Sequence, residues 1–554
     1  MSTTSTKSRR KKLPRTPDVV AKQTSNLGPP ADSAEISERA WRLSSLGILL
    51  VGAFLRLYNL SLVPLHHDEG VNGNFLVTLV REGKYYYNPE NYHGPTLYYF
   101  SAIIPWIFRF LGGKAFADNY GLTTFNIRLI TAAFGVATIW LALLLRKRLG
   151  TVGALTAAGL IAISPGAVYL SRYFIHESLF VFFTLGIVVA SLKYYDSGRG
   201  VYLVLASISA ALMVATKETW IMDGPVLLIA LITTNVYFRL RNRIDGERDE
   251  PSLGERVKRT VDRLGGPVPL ATVALVAFTA FIVVNVLFYS SFFTNYPKGV
   301  GDSLQALKLW RGRTHEHEHP WYQYLYWLLV EEGVVVILGG IGALISVWRA
   351  NNRLAVFLSL WSFGLLAAYS LVGYKTPWIS LNFIVPLALT SGYTLDVAYQ
   401  KLREFRQPRL LIVTAALIVA LCGYQMYQLN FVHYDDDRYP YVYAHTRREM
   451  LAMLDQIERI TKRMGTGTDT GIAIVSPDYW PLPWYLRDYK KVGYYQQIVP
   501  TNEPIIIGSM AQEEQLKTTY GDRYVLVPSN VDEGAYPLRP GVDLFLYVRK
   551  DVAR

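Results

Sequence analysis

Cysteine is almost absent: Cys422 is the only one in 554 residues. No disulfide can form within one chain, so the fold has no covalent cross-link. Charge is also scarce. Asp, Glu, Lys and Arg make up 18% of the chain, against 51% for the hydrophobic types. A mean hydropathy of +0.18 excludes an ordinary soluble protein of this length. No small-residue cleavage site follows the basic start, which therefore does not read as a cleaved signal. No repeat with the inverted symmetry of a transporter is visible either.

What is present is a series of apolar runs near 20 residues, each long enough to cross a hydrocarbon core of ~30 Å. They lie at 43–62, 96–112, 123–145, 150–170, 178–195, 200–216, 219–238, 268–290, 325–348, 354–373, 379–398 and 409–429. The net charge of +13 is explained by Lys and Arg at cytoplasmic span ends, so no nucleic-acid partner is expected. Basic clusters follow positions 145, 238, 348 and 400. They fall on one side only if one early run does not cross. The run to drop is 96–112, which is short, carries Pro105 and Arg109, and is rich in aromatics. Such a segment suits the interface plane.

The expected fold class is an α-helical polytopic membrane protein with about eleven transmembrane helices and interfacial helices in the first outer loop. Residues 1–42 are read as a disordered basic cytoplasmic N-terminus and 43–430 as the transmembrane domain. Residues 431–554 are read as a small extracytoplasmic α/β domain, because short β-branched runs alternate there with a helical pattern. The expected location is the plasma membrane, multi-pass, with the N-terminus cytoplasmic. The mid-span regions read as nearly free of charge, which speaks against a transporter.

This topology collects chemistry on the outer face. Asp68 and Glu69 follow the first span, with Gly70 and Gly73 permitting a tight turn. A second acid pairs with a histidine at His176–Glu177. Two separated carboxylates facing one cavity suit proton abstraction from a hydroxyl or the holding of a metal; a solvated acidic pair is the plain alternative. His315, His317 and His319 alternate with Glu316 and Glu318. On an extended strand the three imidazoles share one side and could ligate a divalent metal, bind phosphate when protonated, or simply line a polar loop. Lys217 and Lys375 lie at outer span ends, suited to a lipid phosphate or to snorkelling. "PDYWPLPWYLRDY" at 477–489 is either a sugar-stacking surface or packing against the membrane face.

These stretches together resemble the GT-C class of membrane glycosyltransferases, which includes the protein O-mannosyltransferases and the lipid A aminoarabinose transferases. "FLRLYNLSLVPLHHDEG" resembles the end of that class's first span. "YHGPTLYYF" resembles its interfacial segment, with Gly94 in place of a proline. "FNIRLITAAFG" matches at Arg128, and "YLSRYFIHESL" resembles the second outer loop. "ATKETW" and "YKTPW" resemble its lysine-bearing turns. "HHDEGVNGNF", "HPWYQY" and "PDYWPLPWYLRDY" are closer to a prokaryotic family labelled flippase activity-associated.

The resemblance implies transfer of a sugar from a polyprenyl-phosphate donor to an acceptor that is a protein, a lipid or a glycan. Asp68, Glu69 and Glu177 would form the catalytic set, with Asp68 as base. His93, Arg128, Arg172, Lys217 and Lys375 would bind substrate. A divalent metal would be the cofactor, if there is one. The alternative is a non-catalytic component of lipid-linked sugar export.

Overall fold

The computed structural model describes residues 36–90, 93–244, 253–263, 266–312, 317–405, 407–530 and 534–553. Among these, nine helices are long and apolar enough to cross a membrane, beginning with Glu38–Leu57 and ending with Ile412–Val432. Thr151–Ile163 and Pro165–Ser171, which meet at 59°, make a tenth if the bent pair counts as one span. The shorter apolar helix Gly200–Val214 takes the remaining place among the expected runs.

The helix Thr96–Phe116 is not among these candidates. Its first turns bury Leu97, Tyr98, Tyr99 and Ala102, and its second half exposes Ile107, Phe110 and Leu111. Pro105 lies inside it, and Gly113 carries a left-handed φ of 81° where the axis kinks.

The bundle has two chemically distinct ends. The helix Glu177–Ser197 runs between them over 21 residues, about 31 Å at 1.5 Å per residue. At its far end Asp196 pairs with Arg148, Arg146 pairs with Glu38, and Asn352 donates to the Arg148 carbonyl. That end gathers basic connections. The near end carries Glu177 and the acid, lysine and histidine motifs.

The bend at Ser164 is held by two buried charges. Arg56 donates to the carbonyls of Ala162, Ile161 and Ala167. Glu332 Oε1 accepts from Ser164 Oγ and from the Gly166 N–H, both at 2.7 Å. The Arg56 guanidinium thus meets the carbonyl end of one helix and the Glu332 carboxyl the amide end of the next, satisfying backbone groups that helix ends leave free. Glu332 itself sits at a backbone kink (φ −127°, ψ 26°) in the helix Gln323–Arg349.

The C-terminal part is a small mixed sheet. Its strands are β1 (Gly471–Ile474), β2 (Lys491–Tyr494), β3 (Ile505–Ser509), β4 (Tyr524–Val527), β5 (Tyr536–Arg539) and β6 (Val542–Arg549). The order is β2-β1-β3-β6-β4, with β5 also on β6. β1 pairs in parallel with β2 and β3, and β6 runs antiparallel to β3. The alternation of a strand divides its side chains between two faces. Ile472, Ile474, Ile505, Ile507, Leu544 and Leu546 pack under Met453, Ile457 and Ile460 of the helix Met450–Arg463. Ala473, Ile506, Phe545 and Tyr547 face Leu516 and Tyr520 on the other side. β2 and β5 were not foreseen from the apolar runs, because only half of their residues are apolar.

Candidate active site

The helix His67–Glu82 presents the two adjacent acids differently. His66 is its N-cap: the ring Nδ1 accepts from the Asp68 N–H, and Glu69 returns a bond from its carboxylate to the His66 N–H. This is a capping box with histidine in the serine position. Gly70 and Gly73 therefore lie inside a helix and not in a turn.

Glu69 is fully buried and saturated. It accepts from Arg128 Nε at 2.7 Å and Nη2 at 2.6 Å, from the Phe174 N–H at 2.7 Å and from the His66 N–H at 3.0 Å. Arg128 spends its remaining donors on the carbonyls of Leu60, Val63 and Pro64. This pair closes the first outer turn onto the helix Thr124–Leu143. All three guanidinium nitrogens of Arg128 and both carboxylate oxygens of Glu69 are thus engaged within the protein. Arg172 is used in the same manner. It donates to the carbonyls of Leu55, Tyr58 and Asn59, the end of the helix Glu38–Leu57, and lies 4.9 Å from the Phe431 ring centroid.

Asp68 is the contrast. Its carboxylate is part-buried and has no hydrogen-bond or ion-pair partner among the described residues. Burial, followed by the nearby Glu177 carboxylate, pushes its pKa up to about 7, against the pull of Lys217. Beside it, Glu177 accepts from Lys217 Nζ in an ion pair whose side chains are each 3% exposed. Two acids and one ammonium thus share a desolvated space.

The segment around Gly94 brings the other groups in. Its N–H donates to the Thr216 carbonyl at 3.1 Å, and Thr96 Oγ1 meets Thr216 Oγ1 at 2.8 Å. A Cβ on Gly94 would lie 2.2 Å from the Ala215 oxygen, so glycine is required for this approach. His93 Nδ1 contacts Glu218 at 2.8 Å, and His176 Nε2 contacts the Gly94 carbonyl at 3.0 Å. Burial holds His176 well below the usual imidazole range. Asn72 and Tyr98 complete this wall: the Tyr98 hydroxyl donates to Asn72 Oδ1 at 2.8 Å.

The histidine loop docks on the turn that carries Lys375. The Lys375 N–H donates to the His317 carbonyl, and the His319 N–H to the Gly373 carbonyl. Lys375 Nζ donates to the carbonyls of Val372 and His319. His317 Nδ1 contacts the Tyr443 hydroxyl at 3.0 Å, and the Tyr443 carbonyl contacts His66 Nε2 at 3.1 Å. The loop thus reaches the start of the Asp68 helix through Tyr443. His315 lies outside the described residues. Among these, no group of three His, Cys, Asp or Glu side chains converges as metal ligands.

Several participants escaped the sequence reading. Arg56 reads as an ordinary span-end arginine. Tyr443 and His445 begin the stretch 443–464 that reads as helical and carry no motif, yet the helix starts only at Met450 and His445 packs 5.3 Å from the His66 ring. Glu331 and Glu332 interrupt the apolar run 325–348, and that interruption was the available signal. They correct the expectation of nearly charge-free mid-spans, and Asp223 lies in the first turn of the helix Trp220–Ile244. All three are buried, and Glu331 Oε1, Glu332 Oε2 and Asp223 Oδ2 lack partners among the described residues. The aromatic segment 477–489 packs inward: Trp484 is 1% exposed, against the Asp68 helix.

Two solved structures share this architecture. ArnT from Cupriavidus metallidurans, bound to undecaprenyl phosphate, superposes with a TM-score of 0.57 at 14% identity, over 92% of this chain and 98% of that one. Archaeal oligosaccharyltransferase AglB from Archaeoglobus fulgidus, in complex with an inhibitory peptide and a dolichol-phosphate, gives 0.53 at 15% identity, over 85% and 70%. The fold is the one these two membrane proteins share. Residues 103–244 also match the family model for dolichyl-phosphate-mannose-protein mannosyltransferase. No curated protein matches in sequence. The matched segment of this chain carries Arg128, Glu177 and Lys217. Asp68 and the sheet domain lie outside it.

Proposed function

We propose that this protein is a membrane glycosyltransferase that moves a sugar from a polyprenyl-phosphate donor to an acceptor on the extracytoplasmic face, with Asp68 as general base. The observation that carries the reading is the unpaired Asp68 carboxylate beside the buried Glu177–Lys217 pair. A base works best with a pKa near the working pH, and about 7 meets that condition. Asp68 takes the proton from the acceptor nucleophile as the bond to the sugar's anomeric carbon forms. The bond to the phosphate oxygen breaks, and the phosphate leaves with added negative charge. Lys217 faces that charge, oriented by Glu177; a fixed cation in a dry site acts strongly there. Glu69 holds the scaffold. No step is routed through a metal. The fold's likeness to proteins solved with undecaprenyl phosphate and dolichol-phosphate supports the donor class. The chain would be a multi-pass plasma-membrane protein with its N-terminus cytoplasmic.

A second reading, a non-catalytic component of lipid-linked sugar export, has one observation in its favour: the buried mid-span acids Glu331 and Glu332. Purified protein assayed against a panel of polyprenyl-phosphate sugars separates the two. Transfer that Asp68→Asn lowers by roughly 10²–10⁴ supports the enzyme. Transfer equal in Asp68→Asn and wild type removes Asp68 as base, and donor binding without any transfer favours the export component.

A further inference from the structure

The sheet domain reaches down to the Asp68 helix at one place. Gly70 and Gly73, one turn apart, present a face without side chains. A Cβ on Gly70 would lie 2.5 Å from Pro481 Cβ, and one on Gly73 would lie 2.7 Å from Trp484 Cε3. The Leu65 N–H, just before the N-cap, donates to the Tyr485 hydroxyl at 2.8 Å. The Trp480 ring lies 6.1 Å from the His67 ring. The turn is itself anchored on both sides. Arg539 of β5 pairs with Asp478, and Arg487 donates to the Leu122 carbonyl at 2.7 Å. Arg81, at the far end of the same helix, donates to the Arg487 carbonyl at 2.9 Å and pairs with Asp488.

From these contacts we infer that the turn Trp480–Tyr485 is a clamp that fixes the N-terminal turn of the Asp68 helix, making Trp484 and Tyr485 positioning residues for Asp68. The functional part of this inference rests on the glycosyltransferase reading; the mechanical part does not. Glycine at 70 and 73 lets the clamp come within van der Waals reach of the helix backbone. Trp484 excludes water from the helix flank, and Tyr485 fixes where the helix starts. Gly70 and Gly73 lie on the helix face roughly opposite Asp68, so the turn backs the helix and holds its Asp68 side toward Glu177 and Lys217. Loosening the turn therefore rehydrates the carboxylate and lets its pKa fall toward the ordinary range.

The test uses the full chain in detergent, with Asp68→Cys in a Cys422→Ser background, and follows thiol alkylation against pH. A buried thiol titrates high and reacts slowly. Adding Trp484→Ala should raise the rate at neutral pH about tenfold and lower the titration midpoint by about one unit. Tyr485→Phe, which removes only the hydroxyl, should do the same to a smaller degree and serves if Trp484→Ala does not fold. Trp484→Phe should restore most of the protection. An unchanged rate and midpoint in a folded clamp variant would overturn the inference. In parallel, with Asp68 intact, Trp484→Ala should lower kcat while leaving the donor KM unchanged. A wild type without transfer activity would remove the functional reading, and the thiol measurement would still decide the clamp.

Discussion

Buried acids are used in two ways in this molecule, at two depths. At the bend between Thr151–Ile163 and Pro165–Ser171, Glu332 spends one oxygen on the free amide end of a helix. At the outer turn, Glu69 does the same with its whole carboxylate, and Arg128 mirrors it on the carbonyl side. Asp68, one residue away, accepts no hydrogen bond among the described residues. Adjacent residues on a helix point in different directions, so one carboxylate is consumed by the architecture and its neighbour is left beside the Glu177–Lys217 pair. An acid at a helix end in this bundle is structural when its oxygens meet backbone donors, and available for chemistry when they do not.

That comparison breaks most visibly at the Glu69–Arg128 pair. Arg128→Met leaves Glu69 buried without its cation, which costs about 3–5 kcal/mol. The variant should unfold in milder detergent or at lower temperature, and any folded fraction should retain its specific activity. Next comes the bend. Glu332→Ala leaves the Ser164 hydroxyl and the Gly166 N–H unpaired and should cost about 2–3 kcal/mol by thermal unfolding, whereas Glu332→Gln keeps the acceptor and should cost under about 1 kcal/mol. If Glu332→Gln abolishes function without destabilising the protein, Glu332 is more than a cap, and the export reading gains.

Asp68→Asn should act on stability in the opposite direction. Because the folded-state pKa lies above the unfolded one, the folded state holds a proton that the unfolded state loses between about pH 4 and 7. Stability therefore falls as pH rises through that window. The variant should be more stable than wild type above pH 7, by roughly 2 kcal/mol after allowing for partial exposure. The smallest effect should come from His317→Ala: loss of one exposed contact to Tyr443 should change stability by less than about 0.5 kcal/mol. Activity that falls with chelators and with His317→Ala together would reopen a metal role for the loop.

Much of this was legible beforehand, for physical reasons. Lipid demands apolar runs of a set length, so most helices and the exceptional status of 96–112 follow from composition and from where the arginines lie. The motif acids and lysines at Asp68, Glu177, Lys217 and Lys375 do gather at one end. What could not be read is where a side chain's hydrogen bonds go. Arg128 and Arg172 have the chemistry of phosphate ligands, yet backbone carbonyls from distant turns take their donors. The glycines at 70 and 73 suggest a turn until the partner turn, some four hundred residues later in the chain, is in place. Glu331 and Glu332 were visible but were absorbed into the average of an apolar run.

The most direct test of the account is the pH dependence of kcat/KM for transfer, measured on wild type and on Asp68→Asn with the same donor. A base of pKa about 7 is active only when deprotonated, so the wild-type rate should climb tenfold per pH unit below a midpoint near 7 and level off above it. In Asp68→Asn the residual rate should be flat through that range. A wild-type limb whose midpoint persists unchanged in Asp68→Asn would assign the titration to another group and contradict the account.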